Sequence, residues 1–74
     1  MTSSTDKLVR MVNDIAHFFR AQGQAQAAQG VADHLRAFWT VQMRRDLLDH
    51  LRHGGQGLEP IALAAAQKLM AEQI

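Results

Sequence analysis

Residues 34–45 read HLRAFWTVQMRR, and this stretch decides the fold because it holds the break between two helical patterns. Thr40 follows the aromatic pair Phe38-Trp39 and suits the N-cap position of a helix, where its hydroxyl accepts a hydrogen bond from a free backbone N–H. Almost no linker separates the two patterns, so we expect the second and third helices to meet at a sharp corner rather than fold back as neighbours.

Apolar residues recur at helical spacing along the chain and predict four helices. Gly23 and Gly54 are expected to end the first and third helices, and Pro60 suits the first position of the fourth. The sequence thus predicts an all-α fold, a small compact bundle or orthogonal array of about four short helices in a single domain over residues 1–74. The predicted parts are a flexible N-terminus at 1–5 and helices at about 6–22, 25–39, 41–53 and 59–72.

Gly30 lies within the second helical pattern, where glycine costs about 1 kcal/mol relative to alanine. Either the helix starts in effect near Gly30, after a weak first turn or two, or another helix passes close to Gly30. The first interpretation is the one favoured here. At the start of the chain, Ser3 and Asp6 have the spacing of a weak capping box.

Size and composition limit the possible functions. A chain of 74 residues buries only about 60% of its unfolded surface, so help from a partner is plausible. It has no cysteine, which excludes disulfides and thiolate-bound metals or iron–sulfur clusters. The net charge of +1 argues against a protein built mainly to hold nucleic acid by charge. No run approaches the ~20 apolar residues that cross a bilayer and no signal peptide is evident, so we expect a cytoplasmic protein without membrane partners.

Several polar groups could carry chemistry, but none forms a catalytic pattern. His50 and His53 share a helical face and could begin a metal site, although histidines near a helix C-terminus are more often solvated surface residues. Asp33 and His34 are adjacent, so their side chains point about 100° apart on a helix. The glycine-rich residues 54–57 lack the lysine of a phosphate-binding loop. We therefore predict no catalytic, cofactor-binding or metal-binding residue.

The arginines allow a second class of function. A basic second helix of a helix-turn-helix would resemble part of this pattern, which makes a small DNA-binding regulator the alternative hypothesis. Asp46 and Asp49 interrupt the basic run, and a solvated helical face is the favoured interpretation. The prediction is that no nucleic acid is bound. The arginines concerned are Arg36, Arg44, Arg45 and Arg52.

The aromatic residues come as two adjacent pairs, Phe18-Phe19 and Phe38-Trp39. Neighbouring residues on a helix cannot both point into a narrow core, so one of each pair could be exposed on a docking surface. Alternatively, a broad apolar stripe takes both. Aromatic, methionine and arginine side chains are enriched in protein interfaces. The predicted partner interface comprises Phe19, His34, Phe38, Trp39, Met43, Arg44 and Arg45.

Three sequence blocks, in this order and spacing, resemble the delta subunit family of NAD-dependent formate dehydrogenases. The resemblance extends over about residues 7–70. One departure follows the Phe-Trp pair, where the family pattern has an acidic residue, proline and arginine, and this chain has Thr40, Val41 and Gln42. Thr40 keeps the capping chemistry, whereas the helix-starting proline and one arginine are lost. The blocks are KLVRMVNDIA (7–16) with Phe18-Phe19, VADHL (31–35) with Phe38-Trp39 and Met43-Arg44, and Gly54-Gly55, Gly57-Leu58 and Pro60.

The resemblance implies a non-catalytic accessory subunit of a cytoplasmic complex that oxidises formate to carbon dioxide and passes the electrons to NAD. The larger subunits would carry a molybdenum or tungsten bis-guanine-dinucleotide cofactor, iron–sulfur clusters and FMN, and this chain would bind none of them. It would assemble or stabilise the hetero-oligomer by docking on the large formate-oxidising subunit. A transient maturation factor for that enzyme is the remaining alternative.

Overall fold

The computed structural model describes residues 4–72, and this part of the chain folds into four α-helices without a β-strand, which confirms the predicted all-α class. Ser4 and Thr5, which were expected in a flexible N-terminus, belong to the first helix. Ser3, and with it the predicted capping box, lies outside the described residues. The helices are α1 (Ser4–Phe19), α2 (Gln24–Phe38), α3 (Val41–Arg52) and α4 (Pro60–Ala71), with a 3₁₀ turn at Arg20–Gln22 between α1 and α2.

The core lies where α2 packs against α4, and α1 contacts all three of the other helices. Many of the buried side chains of α2 and α4 are alanines, which take up little space in the core. Larger aliphatic side chains from α1 and α3 close the core from the remaining sides. The buried alanines of α2 and α4 are Ala27, Ala28, Ala32, Ala62, Ala65 and Ala66.

The turn between α2 and α3 is the predicted corner. Trp39 and Thr40 are both extended, with ψ of 144° and 161°, so the chain changes direction within two residues. The Thr40 hydroxyl accepts a hydrogen bond of 3.1 Å from the backbone N–H of Met43, which confirms the predicted N-cap. As expected for a corner, α2 and α3 do not pack side by side.

The loop from α3 to α4 is fixed by polar contacts to α1. Gly54 and Gly55 adopt positive φ angles of 111° and 64°, which end α3 as predicted. The Asn13 amide on α1 donates to the Gly57 carbonyl at 2.9 Å and accepts from the Glu59 N–H at 3.0 Å. Pro60 then occupies the start of α4, again as predicted.

A charged cluster joins α2 to the end of α4. Arg36 donates to Asp33 on its own helix and, through Nε, to Glu72 at 2.7 Å. The hydrogen bonding of Arg36 to Glu72, together with the positive charge of Arg36, lowers the pKa of Glu72. The pKa of Asp33 is lowered by its hydrogen bonds from Arg36 and Gln29. Both carboxylates are exposed, so water screens the attraction.

No helix within residues 4–72 combines the length and the apolar character needed to cross a membrane.

The Thr40 cap gives a first prediction. Thr40→Ala removes the oxygen that accepts from the Met43 N–H, and we expect the free energy of unfolding to fall by about 1 kcal/mol in urea titrations. Thr40→Ser keeps the oxygen and serves as the matched control. Equal stability of the alanine and serine variants would show that the cap contributes nothing.

The Arg36 cluster predicts a dependence of stability on pH. A carboxylate whose pKa is lowered by folding contributes stability above its unfolded pKa of about 4, and that contribution is lost as the pH falls further. We therefore expect wild type to lose more stability between pH 6 and pH 3 than Arg36→Gln does. Arg45→Gln, at an exposed arginine, is the control and should follow wild type. Parallel curves for all three proteins would contradict the prediction.

Candidate docking surface

The corner at Thr40 sends its two aromatic residues in opposite directions. Trp39 is 6% exposed and belongs to the core, whereas Phe38, the preceding residue, is 74% exposed. The alternative in which a broad stripe takes both is therefore wrong for this pair. Because the core surrounds Trp39, it is not available on the surface where the sequence placed it, and Phe38 alone represents the pair there.

The Phe18-Phe19 pair at the end of α1 divides in the same way. Phe18 is 82% exposed, and Phe19 is half-buried against the core. The Phe19 ring lies on the backbone of Gly30, so close that a Cβ added to Gly30 would stand 2.8 Å from its Cδ1. Gly30 is well inside α2, so the weak-first-turn interpretation is wrong and the close-approach alternative is correct.

The His34 ring lies between Phe19 and Phe38 and connects the two aromatic pairs into one row of rings. Its ring centroid lies 4.8 Å from that of Phe38 and 6.5 Å from that of Phe19, and Phe19 meets Phe18 edge-on at 5.4 Å. These spacings are within the range of favourable aromatic contacts. We call Phe18, Phe19, His34 and Phe38 the aromatic strip. It combines residues from the end of α1 and from α2, and it lies on the surface of the chain.

A shallow depression of about 280 Å³ adjoins the aromatic strip. Phe18, Phe19 and His34 line one part of it, and Ile15 and Asp14 of α1 complete it. The surface is therefore uneven, with aromatic rings and one acidic residue lining a recess. Uneven apolar surfaces of this kind suit a partner with a complementary shape rather than a flat contact.

The remaining predicted interface residues lie on α3 and differ in exposure. Met43 is half-buried and packs against the core. Arg44 donates from Nη1 to the Arg36 carbonyl at 3.2 Å, so it satisfies a carbonyl in the last turn of α2, where a positive charge is favourable. Arg45 is exposed. The structure thus brings Phe19, His34 and Phe38 together and directs Met43 and Arg44 largely inwards.

Phe18 was missed as an interface candidate, although its position could have been inferred. The buried residues of α1 are Leu8, Val12 and Ala16, spaced four apart. Phe19 follows Ala16 by three positions and continues this face, whereas Phe18 follows by two and points to the other side. Recognising the small residue Ala16 as part of the buried face would have given the correct phase.

Two of the arginines have partners within the chain. Arg36 is engaged by Asp33 and Glu72, and Arg44 by the end of α2. Two of the four arginines behind the DNA-binding alternative therefore have partners within the chain, which weakens that alternative.

His17, His50 and His53 have partners within the chain. His50 Nε2 lies 2.7 Å from the Gln56 carbonyl, His53 Nδ1 lies 2.8 Å from the Asp49 carbonyl, and His17 lies 2.6 Å from Glu59. Within residues 4–72 no group of three or more histidine, aspartate or glutamate side chains is placed to hold a metal ion. These contacts hold the end of α3 and the loop between α3 and α4 in place.

The family model for the NADH-dependent formate dehydrogenase delta subunit, FdsD, matches residues 7–66 of the 74-residue chain. The chain belongs to this family. The matched residues include the whole aromatic strip and the corner at Thr40. Membership identifies a small subunit of an NAD-dependent formate dehydrogenase complex, which is an oxidoreductase, and confirms the resemblance seen in the sequence. No curated protein and no solved structure matches the chain.

The contact between Gly30 and Phe19 predicts a non-additive pair of substitutions. In an open helix, replacing the interior glycine by alanine should stabilise by about 1 kcal/mol. In wild type the new Cβ collides with the Phe19 ring, so Gly30→Ala should give no such gain. In a Phe19→Ala background the space is free and the gain should appear. Chemical denaturation of the four proteins measures the coupling, and the same effect in both backgrounds would contradict the packing.

Proposed function

We propose that this chain is a non-catalytic accessory subunit that docks on the large formate-oxidising subunit and stabilises the assembled, cytoplasmic formate dehydrogenase. The observation that supports docking most strongly is the exposure of Phe18 and Phe38 in a chain whose own core is small. Large exposed aromatic side chains are characteristic of surfaces that a partner covers. Membership in the delta-subunit family supplies the complex in which that partner is found.

The side chains of this subunit do not suit the cofactors that the complex implies. The sequence contains no cysteine to ligate an iron–sulfur cluster. Among residues 4–72, His17 pairs with Glu59, His50 contacts a backbone carbonyl, and no group of three or more histidine or carboxylate side chains is placed to hold a metal ion. We therefore assign the molybdenum or tungsten bis-guanine-dinucleotide cofactor, the iron–sulfur clusters, the FMN and the NAD site to the other subunits.

A maturation factor differs from an accessory subunit in stoichiometry. A factor that only loads the cofactor or escorts the unassembled subunit leaves the active enzyme, whereas an accessory subunit stays with it. An apolar surface made of aromatic rings favours lasting association, because permanent interfaces are more hydrophobic than transient ones.

Purification through a tag on the large subunit tests the proposal. We expect this chain at one copy per large subunit after size-exclusion chromatography. Enzyme made without it should lose activity faster on dilution or warming, because one stabilising interface is missing. The initial turnover per loaded metal site should be the same in both preparations, since this chain contributes no reacting group.

Two results would contradict the proposal. Active, metal-loaded enzyme that never contains this chain, with an unchanged half-life, would make it a maturation factor. A lower turnover per metal site, recovered when the purified chain is added back, would give it a part in the reaction itself.

A further inference from the structure

We infer that the aromatic strip is the docking surface and that it meets a concave site on the large subunit, in which two apolar pockets flank a hydrogen-bond acceptor. This inference rests on the proposed function and deepens it, because it states the chemistry of the partner's surface. Phe18 and Phe38 would enter the two pockets, and His34, which lies between them in the row of ring contacts, would donate to the acceptor.

Exposure decides which side chains anchor the contact. Phe18 and Phe38 are 82% and 74% exposed, whereas Phe19 is already packed on Gly30 and the core. The two exposed rings therefore have the most surface to lose to a partner. Aromatic anchors that fill pockets typically dominate the binding energy of an interface, and the residues around them contribute mainly by excluding water.

The exposed area argues for a larger partner rather than a second copy of the chain. A phenylalanine buries at most about 150–250 Å², so the two exposed rings offer together about 300 Å². A stable interface needs about 800 Å² from each partner. Strip against strip in a homodimer would fall well below this area. A concave surface that also contacts the residues around the rings reaches it, and the large subunit of the complex can provide one.

His34 determines the polar part of the partner's site. It is half-buried between the Phe19 and Phe38 rings, and within residues 4–72 its ring nitrogens make no hydrogen bond. In either neutral tautomer, and when protonated, the imidazole carries at least one N–H donor. Docking removes the water that serves this donor, and an unpaired buried donor is costly. A carbonyl or carboxylate oxygen of the partner must therefore face His34.

The test measures binding of the purified chain to the large subunit, by surface plasmon resonance or by competition with labelled wild type. The double variant Phe18→Ala/Phe38→Ala should bind on the order of 100-fold more weakly, because both anchors are lost. His34→Phe keeps an aromatic ring for stacking but removes the donor, so this variant should bind about 10-fold more weakly. Val41→Ala is the matched control, since Val41 is 55% exposed and outside the strip, and it should bind within about fivefold of wild type.

Binding of wild type and of the variants separates an error in the proposed function from an error in the choice of docking surface. If the wild-type chain does not bind the large subunit, the proposed function is wrong and this inference falls with it. If wild type binds and the double variant binds equally well, the inference alone is wrong. If His34→Phe binds as tightly as wild type, the partner's site has no hydrogen-bond acceptor opposite His34. If Val41→Ala loses as much affinity as the double variant, docking is not confined to the aromatic strip.

Two further measurements keep the result interpretable. Circular dichroism and the thermal midpoint of the double variant should match wild type, because neither ring is part of the core. If they differ, Phe18→Ala and Phe38→Ala are tested singly, and equal binding of wild type and both single variants to the large subunit would contradict the inference. Sedimentation of the isolated chain tests the second copy. A wild-type dimer that the double substitution dissociates, while binding to the large subunit is unchanged, would assign the strip to self-association and overturn the inference.

Discussion

The close packing of α2 on α4 is the constraint on which the rest of the structure depends. Many of the buried side chains of both helices are alanines, so these two helices contribute few large side chains to the core. Stability then rests on good fit and a few fixed helix ends rather than on a large buried area, as expected for a chain of this size. The cap at Thr40, the Asn13 contacts to the loop before α4, and the Arg36 cluster all fix such ends.

The small size of the core also explains where the aromatic residues lie. The core accommodates Trp39 completely and Phe19 partly, the latter because Gly30 has no side chain in the way. Phe18 and Phe38, which neighbour half-buried Phe19 and buried Trp39, remain outside. Their exposure follows from the local geometry of adjacent helical residues, yet selection for a free-standing protein would favour polar residues at such positions. The aromatic strip is thus better explained by a partner than by folding.

The sequence predicts the local features well and the tertiary contacts less well. Gly54, Pro60 and Thr40 mark helix ends by backbone chemistry that acts within a few residues, and each was assigned correctly. The roles of Gly30 and Trp39 depend on what lies opposite them in the fold. In the sequence, a glycine that makes room for a ring from another helix looks the same as a weak helix start. Two adjacent aromatic residues likewise do not show which of them faces the core.

Only some residues of the candidate surface could be predicted, again because tertiary contacts cannot be inferred from local sequence. Phe38 and His34 lie four apart on one helix, which spacing reveals, whereas their contact with the end of α1 depends on how α1 crosses α2. Met43 and Arg44 are residue types that are common in interfaces, but Met43 packs against the core and Arg44 bonds to the end of α2. Composition identifies the type of surface, and only the packing determines which residues remain on it.

The central claim is that another subunit of the formate dehydrogenase covers the aromatic strip. The structure of the intact complex, determined by electron cryomicroscopy, tests this most directly. We expect Phe18 and Phe38 to lose most of their exposed surface in apolar pockets of the large subunit, with an oxygen of that subunit within hydrogen-bond distance of the His34 ring. A complex in which both phenylalanines still face solvent, and in which this chain is held by a different face, would contradict the account.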